Sequence, residues 1–80
     1  PLIDAVKRAS DAGVIFISAA GNDGTSNDRT GFYPANAKFE NTITVAASDE
    51  KDGKPSWSNF GRAVVDIAAP GDQIMSTVPN

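Results

Sequence analysis

The hydrophobic pattern at the start of the chain predicts a helix followed by a buried strand. Leu2, Val6 and Ala9 recur at helical spacing, and a helix over residues 1–12 places them on one stripe. Gly13 follows as a stop signal. Residues 14–19 then form a mainly apolar run, which is typical of a strand covered on both faces. A helix that leads through one glycine into such a strand indicates half of a parallel βαβ unit.

The remaining pattern predicts further extended segments separated by polar loops. Residues 21–36 have no hydrophobic period and are rich in turn formers, and a loop this long in a compact domain is usually functional. Residues 42–47 and 63–68 are predicted strands, and residues 73–78 form a fourth short extended piece. A short surface strand or turn is predicted over residues 56–61. The predicted fold class is α/β, with one helix, three to four strands in a mostly parallel sheet, and long loops.

The end of the first predicted strand carries the strongest candidate for chemistry. The strand stops in small residues, and glycines flank the pair Asn22-Asp23, which allows another backbone to come close. Open parallel sheets place their ligands at the carboxyl ends of the strands. The carboxamide of Asn22 can donate hydrogen bonds to an oxyanion there, and a loop cap is the alternative that the local residues leave open.

Length and composition narrow the classes of function. The 80 residues contain no histidine, the commonest general base, and no cysteine, so disulfides are excluded. The net charge of −3 argues against a nucleic-acid partner, and no apolar stretch is long enough for a membrane segment. A chain of this size buries only about 60% of its unfolded surface, which predicts poor independent folding. Because the chain begins with Pro1, we expect a cut or processed N-terminus. The cellular location of the protein cannot be predicted from these residues.

Six short segments, taken in order, resemble those of the subtilisin-like serine proteases, or subtilases. They are residues 18–24 (SAAGNDG), 32–35 (FYPA), 42–47 (TITVAA), 56–61 (SWSNFG), 65–71 (VDIAAPG) and 74–79 (IMSTVP). Each segment alone is a weak signal, whereas their order and spacing carry the resemblance over nearly the whole chain. The resemblance implies a partial three-layer subtilisin-like fold, with residues 1–80 as an internal part of the catalytic (peptidase S8) domain. It also implies that the segments with the catalytic aspartate, histidine and serine lie outside these residues.

The same resemblance implies roles for residues around the end of the first strand. Asn22 matches the oxyanion-hole asparagine of the family. The walls of the primary specificity pocket match Ala19, Ala20, Gly21, Phe32, Tyr33, Pro34 and Ala35. Phe32 and Ala35 replace glycines that are frequent in the family, which leaves the depth of the pocket open. Asp23 lies at the pocket edge, where its charge either favours basic or polar substrate groups or is simply solvated.

The implied chemistry needs no cofactor, and whether the parent domain binds a structural metal ion stays open. Residues 35–41 match a turn where some subtilases bind a cation through backbone carbonyls, so structural calcium or sodium in the parent domain is an expectation. Asp49, Glu50 and Asp52 lack the spacing of an EF-hand loop and are interpreted as a solvated turn. Asp66 lies between apolar residues of a predicted strand and is interpreted as a buried structural carboxylate that needs a partner.

The sequence thus predicts part of a serine endopeptidase whose partners are a peptide or protein substrate, the rest of the catalytic domain and a propeptide. The isolated chain, with no base to activate a serine, is predicted to be inactive. The resemblance alone favours a secreted or extracytoplasmic location. A catalytically dead subtilase-like binding or scaffold domain stays open, because the triad lies elsewhere. A nucleotide-binding βαβ module is disfavoured, because residues 21–24 lack the G-x-G-x-x-G spacing and lead into a loop.

Overall fold

A computed structural model describes residues 1–79, which contain one helix and three strands in a single sheet. The elements are α1 (Leu2–Asp11), β1 (Phe16–Ala19), β2 (Thr42–Ser48) and β3 (Ile67–Pro70). The strand order is β1-β2-β3, and both neighbouring pairs are parallel. The α/β class and the parallel sheet are therefore confirmed, with α1 and β1 slightly shorter than the predicted residues 1–12 and 14–19.

The end of α1 turns the chain towards β1. Gly13 adopts a φ of +83°, a left-handed conformation that glycine takes without strain. Its N–H donates to the carbonyl of Ser10 at 3.0 Å, and the N–H of Val14 donates to the carbonyl of Ala9 at 2.9 Å. These two bonds form the Schellman arrangement, so the stop predicted at Gly13 is confirmed. The Oγ atom of Ser10 also accepts the N–H of Asn41 at 3.1 Å, which ties α1 to the entrance of β2.

The central strand of the sheet is β2, which hydrogen-bonds on both edges. Val45 pairs with Ala19 on one side and with Ile67 on the other. Thr44 on β2 is buried, whereas Ile17 on β1 and Ile67 on β3 are 64% and 54% exposed. Residues 1–79 therefore do not cover both faces of the first strand, and such a cover in the parent domain stays a prediction.

The third strand begins later than the hydrophobic pattern predicts. A strand over residues 63–68 is wrong at its start, because β3 begins at Ile67. The carboxylate of Asp28 accepts the N–H groups of Ala63 and Val64, each at 3.1 Å. These bonds hold the two residues in a turn, which keeps them out of the sheet although the β-branched side chain of Val64 favours a strand.

Two other predicted extended segments contribute little to the sheet. Residues 56–61 form the predicted turn, which carries an isolated parallel bridge between Ser26 and Phe60. The predicted piece over residues 73–78 belongs to no strand within the described part of the chain, residues 1–79. The same residues include no helix that is both long and apolar enough to cross a membrane.

The buried centre of the chain is small and largely polar. Its buried apolar residues are Val6, Ala20, Ala35, Ala37 and Ala46. Its buried polar residues are Ser10, Asn27, Thr44, Ser58 and Asn59. Within residues 1–79, every buried side-chain nitrogen and oxygen has a hydrogen-bond partner. Alanine side chains bury little apolar area, so this core contributes little hydrophobic stabilisation, and poor independent folding stays a prediction.

Candidate functional site

A cleft with a volume of about 410 Å³ opens at the carboxyl ends of the three strands. The predicted site residues Ala19, Ala20, Gly21 and Asn22 contribute to its lining. Further lining comes from the ends of β2 and β3 and from the turn between them, namely Ala46, Ala47, Trp57, Ser58, Pro70 and Gly71. This is the edge at which open parallel sheets bind their ligands, as the sequence pattern predicts.

Asn22 lies exposed at this cleft on a backbone segment that is fixed on both sides. The carbonyl of Gly21, just before it, accepts the backbone N–H of Asn59 at 2.9 Å. The N–H of Asp23, just after it, donates to the Oδ1 atom of Asn59 at 2.8 Å. The Asn22 carboxamide is thus accessible to a ligand while its backbone is held in place.

Two buried asparagines join the Asn22 segment to the turn at residues 56–61. The Nδ2 atom of Asn59 donates to the carbonyl of Ala20 at 3.1 Å and to the Oδ1 atom of Asn27 at 3.0 Å. The Nδ2 atom of Asn27 donates to the same Ala20 carbonyl at 3.0 Å. The two side chains are 2% (Asn27) and 1% (Asn59) exposed. We call Asn27, Asn59 and the Ala20 carbonyl the amide cluster.

Sequence reasoning missed the amide cluster. The polar composition of residues 21–36 predicts turns, and it does not distinguish an exposed asparagine from a buried one. The available signal for Asn59 was its place in the segment of residues 56–61, which carries part of the family resemblance. Neither asparagine is predicted from periodicity, because its burial depends on partners far away in the sequence.

The glycines around Asn22 are required by close packing. Gly21 adopts a φ of +121°, and a Cβ atom built there would lie 2.6 Å from the Nδ2 atom of Asn59. Gly24 adopts a φ of +66°, and a Cβ atom there would lie 2.6 Å from the carbonyl oxygen of Ser56. Both the backbone conformation and the space therefore exclude side chains. The predicted close approach of another backbone is confirmed at Gly24, whereas at Gly21 the neighbour is a buried side chain.

The predicted pocket residues at the far end of the loop lie outside the cleft lining. They are Phe32, Tyr33, Pro34 and Ala35. Phe32 is brought close to the cleft, because a Cβ atom at Gly21 would lie 3.2 Å from its ring. Tyr33 is exposed and Pro34 is half-buried, while Ala35 is buried and its carbonyl accepts the Oγ1 hydroxyl of Thr44 at 2.9 Å. A pocket wall formed by these four residues stays a prediction.

Asp23 and Trp57 occupy different positions relative to the cleft. Asp23 is exposed and is absent from the cleft lining of the described residues, so a substrate role for its carboxylate stays a prediction. Trp57 lies in the lining and is 37% exposed. The sequence did not single out Trp57 as a site residue, yet its ring adds the largest apolar side chain to the cleft.

The candidate cation turn at residues 35–41 is tied to the rest of the chain by hydrogen bonds and one ion pair. Five carbonyls in or beside it accept hydrogen bonds: those of Pro34, Ala35, Asn36, Phe39 and Asn41. The ammonium group of Lys38 pairs with the carboxylate of Asp66 and donates to the Oγ1 atom of Thr44 at 3.4 Å. Residues 1–79 also contain no group of three or more histidine, cysteine, aspartate or glutamate side chains that could hold a metal. Calcium or sodium in the parent domain stays a prediction.

Asp66 differs from its predicted setting. It lies exposed just before β3, so the prediction of a buried strand carboxylate is wrong. The residues that follow it are exposed as well, because β3 is an edge strand of the sheet and Ile67 and Ala68 have no cover within residues 1–79. Its need for partners is confirmed, because it pairs with Lys38 and accepts the N–H of Thr44 at 2.8 Å. The hydrogen bond from Lys38, together with that from Thr44, lowers the pKa of Asp66.

Comparison with known proteins identifies the family. The sequence profile of the subtilase family matches residues 1–80, and the chain belongs to this family. It is 50% identical over 73 residues to a subtilisin-like protease of Coccidioides posadasii, and 44% identical over 78 residues to thermitase of Thermoactinomyces vulgaris. These matches cover 91% and 98% of this chain but 17% and 26% of the two relatives.

The fold is similar to that of a solved subtilisin-like protease. The crystal structure of the epidermin leader peptide processing serine protease from Staphylococcus aureus matches with a TM-score of 0.71 and 32% sequence identity. The match covers 88% of this chain and 20% of that protein. A partial subtilisin-like α/β fold is therefore established, and the chain spans a minor part of the proteins it matches.

Proposed function

We propose that these residues form part of a serine endopeptidase, in which Asn22 donates a hydrogen bond to the oxyanion formed during peptide-bond hydrolysis. One observation carries this proposal: the exposed Asn22 lies at a cleft at the carboxyl ends of parallel strands, on a backbone segment fixed by the amide cluster. Membership in the subtilase family supports a serine peptidase as the parent protein.

The physical role of such a donor follows from where charge develops. Attack on a peptide carbonyl moves negative charge onto its oxygen as the transition state is reached. A donor that is already in place stabilises that charge more than it stabilises the substrate, so it raises kcat rather than lowering KM. The loss of one such donor costs about 10²–10³ in kcat, a magnitude already known for another member of this family.

Substrate binding is proposed for the small residues that precede Asn22. Ala19, Ala20 and Gly21 line the cleft and leave room for a substrate side chain. We extend the pocket to Phe32, Tyr33, Pro34 and Ala35, and the approach of the Phe32 ring to Gly21 supports this extension. Asp23, exposed beside Asn22, is proposed to favour basic substrate groups through its charge.

The nucleophile, the base and the acid that orients it are proposed to come from other parts of the parent protein. The 80 residues contain no histidine, so no imidazole is present to activate Ser18 or Ser76. We therefore infer that the isolated chain hydrolyses no peptide. The reaction itself requires no cofactor, since acyl transfer needs only the nucleophile, the base and the oxyanion donors.

The partners of the parent protein belong to the same proposal. This chain covers only 17% and 26% of the length of two curated relatives, so we infer that the activity of the whole protein needs residues outside it. We propose a peptide or protein substrate, the remainder of the catalytic domain and a propeptide as partners. We propose an extracytoplasmic location from family membership alone.

Labelling of the full-length parent protein tests the proposal. A fluorophosphonate probe should attach to the nucleophilic serine, and a chromogenic peptide should be hydrolysed. Prior treatment with an unlabelled serine-directed inhibitor should abolish both signals. The separate 80-residue chain is the matched negative control and should show neither. A folded parent protein that shows no labelling and no hydrolysis would favour a catalytically dead binding or scaffold domain.

A further inference from the structure

We propose that Asn59 is a positioning residue for the hydrolytic reaction, acting through the backbone that carries Asn22. This inference rests on the proposed function of Asn22 as an oxyanion donor. Asn59 itself is buried and stands behind the cleft, so it acts on the reaction through the segment it holds and touches no substrate.

The hydrogen bonds of Asn59 bracket Asn22 on both sides. Before Asn22, the Nδ2 atom of Asn59 donates to the Ala20 carbonyl at 3.1 Å, and its backbone N–H donates to the Gly21 carbonyl at 2.9 Å. After Asn22, the Oδ1 atom of Asn59 accepts the N–H of Asp23 at 2.8 Å and that of Thr25 at 3.3 Å. One residue thus fixes the chain immediately before and after the proposed donor.

The carboxamide of Asn59 has no unused hydrogen-bonding capacity. Its oxygen accepts two N–H groups, and its nitrogen donates both hydrogens, one to Ala20 and one to the Oδ1 atom of Asn27. The side chain is only 1% exposed, so water cannot replace these bonds without reorganising the segment. No side chain that lacks a carboxamide can make all four bonds.

The hydrogen bonds of Asn59 matter for the reaction because an oxyanion donor must be accurately positioned. A donor is effective only when its N–H points to the place where the oxyanion forms, and a misplacement of about 1 Å can cost roughly 10²-fold in rate. The Asn22 side chain lies in solvent at the cleft, so its position depends on its backbone. Loosening that backbone should weaken the transition-state bond, and it should also loosen the pocket residues Ala20 and Gly21, whose carbonyls Asn59 holds.

A double-mutant cycle in the full-length parent protein tests this inference. The four proteins are wild type, Asn22→Ala, Asn59→Ser and the double variant, with kcat and KM measured per active site titrated by a fluorophosphonate. We expect Asn22→Ala to lower kcat by about 10²-fold and Asn59→Ser to lower it by about tenfold, whereas any rise in KM from the loosened pocket should be the same with and without the Asn22 side chain. In the absence of the Asn22 side chain, Asn59→Ser should lower kcat by less than about twofold.

The outcomes distinguish the positioning role of Asn59 from the donor role of Asn22. An equal loss of kcat from Asn59→Ser in both backgrounds, or no loss in either, overturns the positioning role and leaves the role of Asn22 standing. If Asn22→Ala does not lower kcat, the proposed function of Asn22 and the positioning role fall together. Should Asn59→Ser fail to fold, Asn27→Ser serves in its place, because it removes the Oδ1 acceptor of Asn59 and leaves the bonds of Asn59 to Asp23 and Thr25 in place. Asn41→Ser, which changes a half-buried asparagine outside the cleft lining, is the control and should leave kcat unchanged.

Discussion

Lys38 directs its ammonium group onto the carboxylate of Asp66, which lies 28 positions further along the chain. The same carboxylate oxygen accepts the N–H of Thr44, on β2, at 2.8 Å. This pair therefore fastens the turn at residues 35–41 to the start of β3 across the central strand. The hydrogen bond from Lys38, followed by that from Thr44, holds the pKa of Asp66 below its usual value of 3.8.

Replacing Asp66 by asparagine should destabilise the parent domain at neutral pH and lose its effect in acid. Because the folded pKa is lowered, the carboxylate contributes stability above its unfolded value of 3.8 and loses that contribution as pH falls through the lower folded value. Partly exposed pairs contribute about 1 kcal/mol or less, and we expect a change of that size in the free energy of unfolding. Urea unfolding between neutral pH and about pH 2 measures it.

The pair of Lys7 and Asp11 on α1 provides the control for this experiment. Its charged atoms lie 3.0 Å apart, but the two side chains are 59% and 65% exposed. Asp11→Asn should therefore cost less than Asp66→Asn at neutral pH, because water screens an exposed pair more strongly. An effect of Asp66→Asn that persists undiminished in acid would show that the ion pair is not its cause.

Gly21→Ala should destabilise the parent domain more than Gly13→Ala. Both glycines have positive φ, +121° and +83°, so an alanine is strained at either position by roughly 1–2 kcal/mol. Only at Gly21 would the new Cβ atom meet another group, 2.6 Å from the Nδ2 atom of Asn59, whereas at Gly13 nothing lies within 4 Å. Overpacking of this kind adds about 1–3 kcal/mol. Equal losses of stability in denaturant unfolding would refute the close contact between Gly21 and Asn59.

Asn27→Ala should cost about 1–3 kcal/mol of folding stability, because it leaves buried groups without partners. The Nδ2 atom of Asn59 would lose an acceptor and the Ala20 carbonyl would lose one of its two donors. Asn41→Ala is the matched control, since Asn41 is half-buried and its carboxamide donates one long bond of 3.4 Å to Ser10. Chemical denaturation of both variants should show the larger loss for Asn27, and a larger loss for Asn41 would argue against the amide cluster as a stabilising centre.

Asp23→Asn should reduce the preference of the parent enzyme for basic substrate side chains. An exposed charge contributes up to about 1 kcal/mol, which corresponds to roughly fivefold in kcat/KM for a lysine substrate relative to a neutral one. The ratio of kcat/KM for paired peptides that differ at one side chain measures the effect, and added salt should diminish it. A ratio that is the same in wild type and variant at low salt would contradict a role of Asp23 in substrate preference.

The elements that the sequence predicted well are those fixed by local patterns. The helix stop depends on the conformation of Gly13, and β2 depends on consecutive β-branched residues. Both can therefore be predicted from a few neighbouring residues. The start of β3 was misplaced because Asp28, 35 positions before Ala63, holds the preceding residues in a turn. The hydrophobic pattern of the residues near Ala63 gives no sign of this contact with Asp28.

The candidate site shows the same division between local and distant signals. The place of Asn22 at the cleft was predictable, because it follows a strand end and lies between glycines, whereas its role as a donor stays a prediction. Asn27 and Asn59 were not, because their side chains meet across 32 positions and each is buried only through the other segment. Whether Asp66 is buried could not be predicted from its apolar neighbours either, since Ile67 and Ala68 on the edge strand β3 are themselves exposed within residues 1–79.

The most direct test of the account is the turnover rate of the full-length protein with Asn22→Ala. We predict that kcat falls by about 10²–10³ while KM changes less than about twofold, because the lost hydrogen bond forms mainly in the transition state. Asn41→Ala, outside the cleft lining, should retain the wild-type kcat. A wild-type kcat in the Asn22→Ala enzyme, or a loss confined to KM, would contradict the assignment of Asn22 as the oxyanion donor.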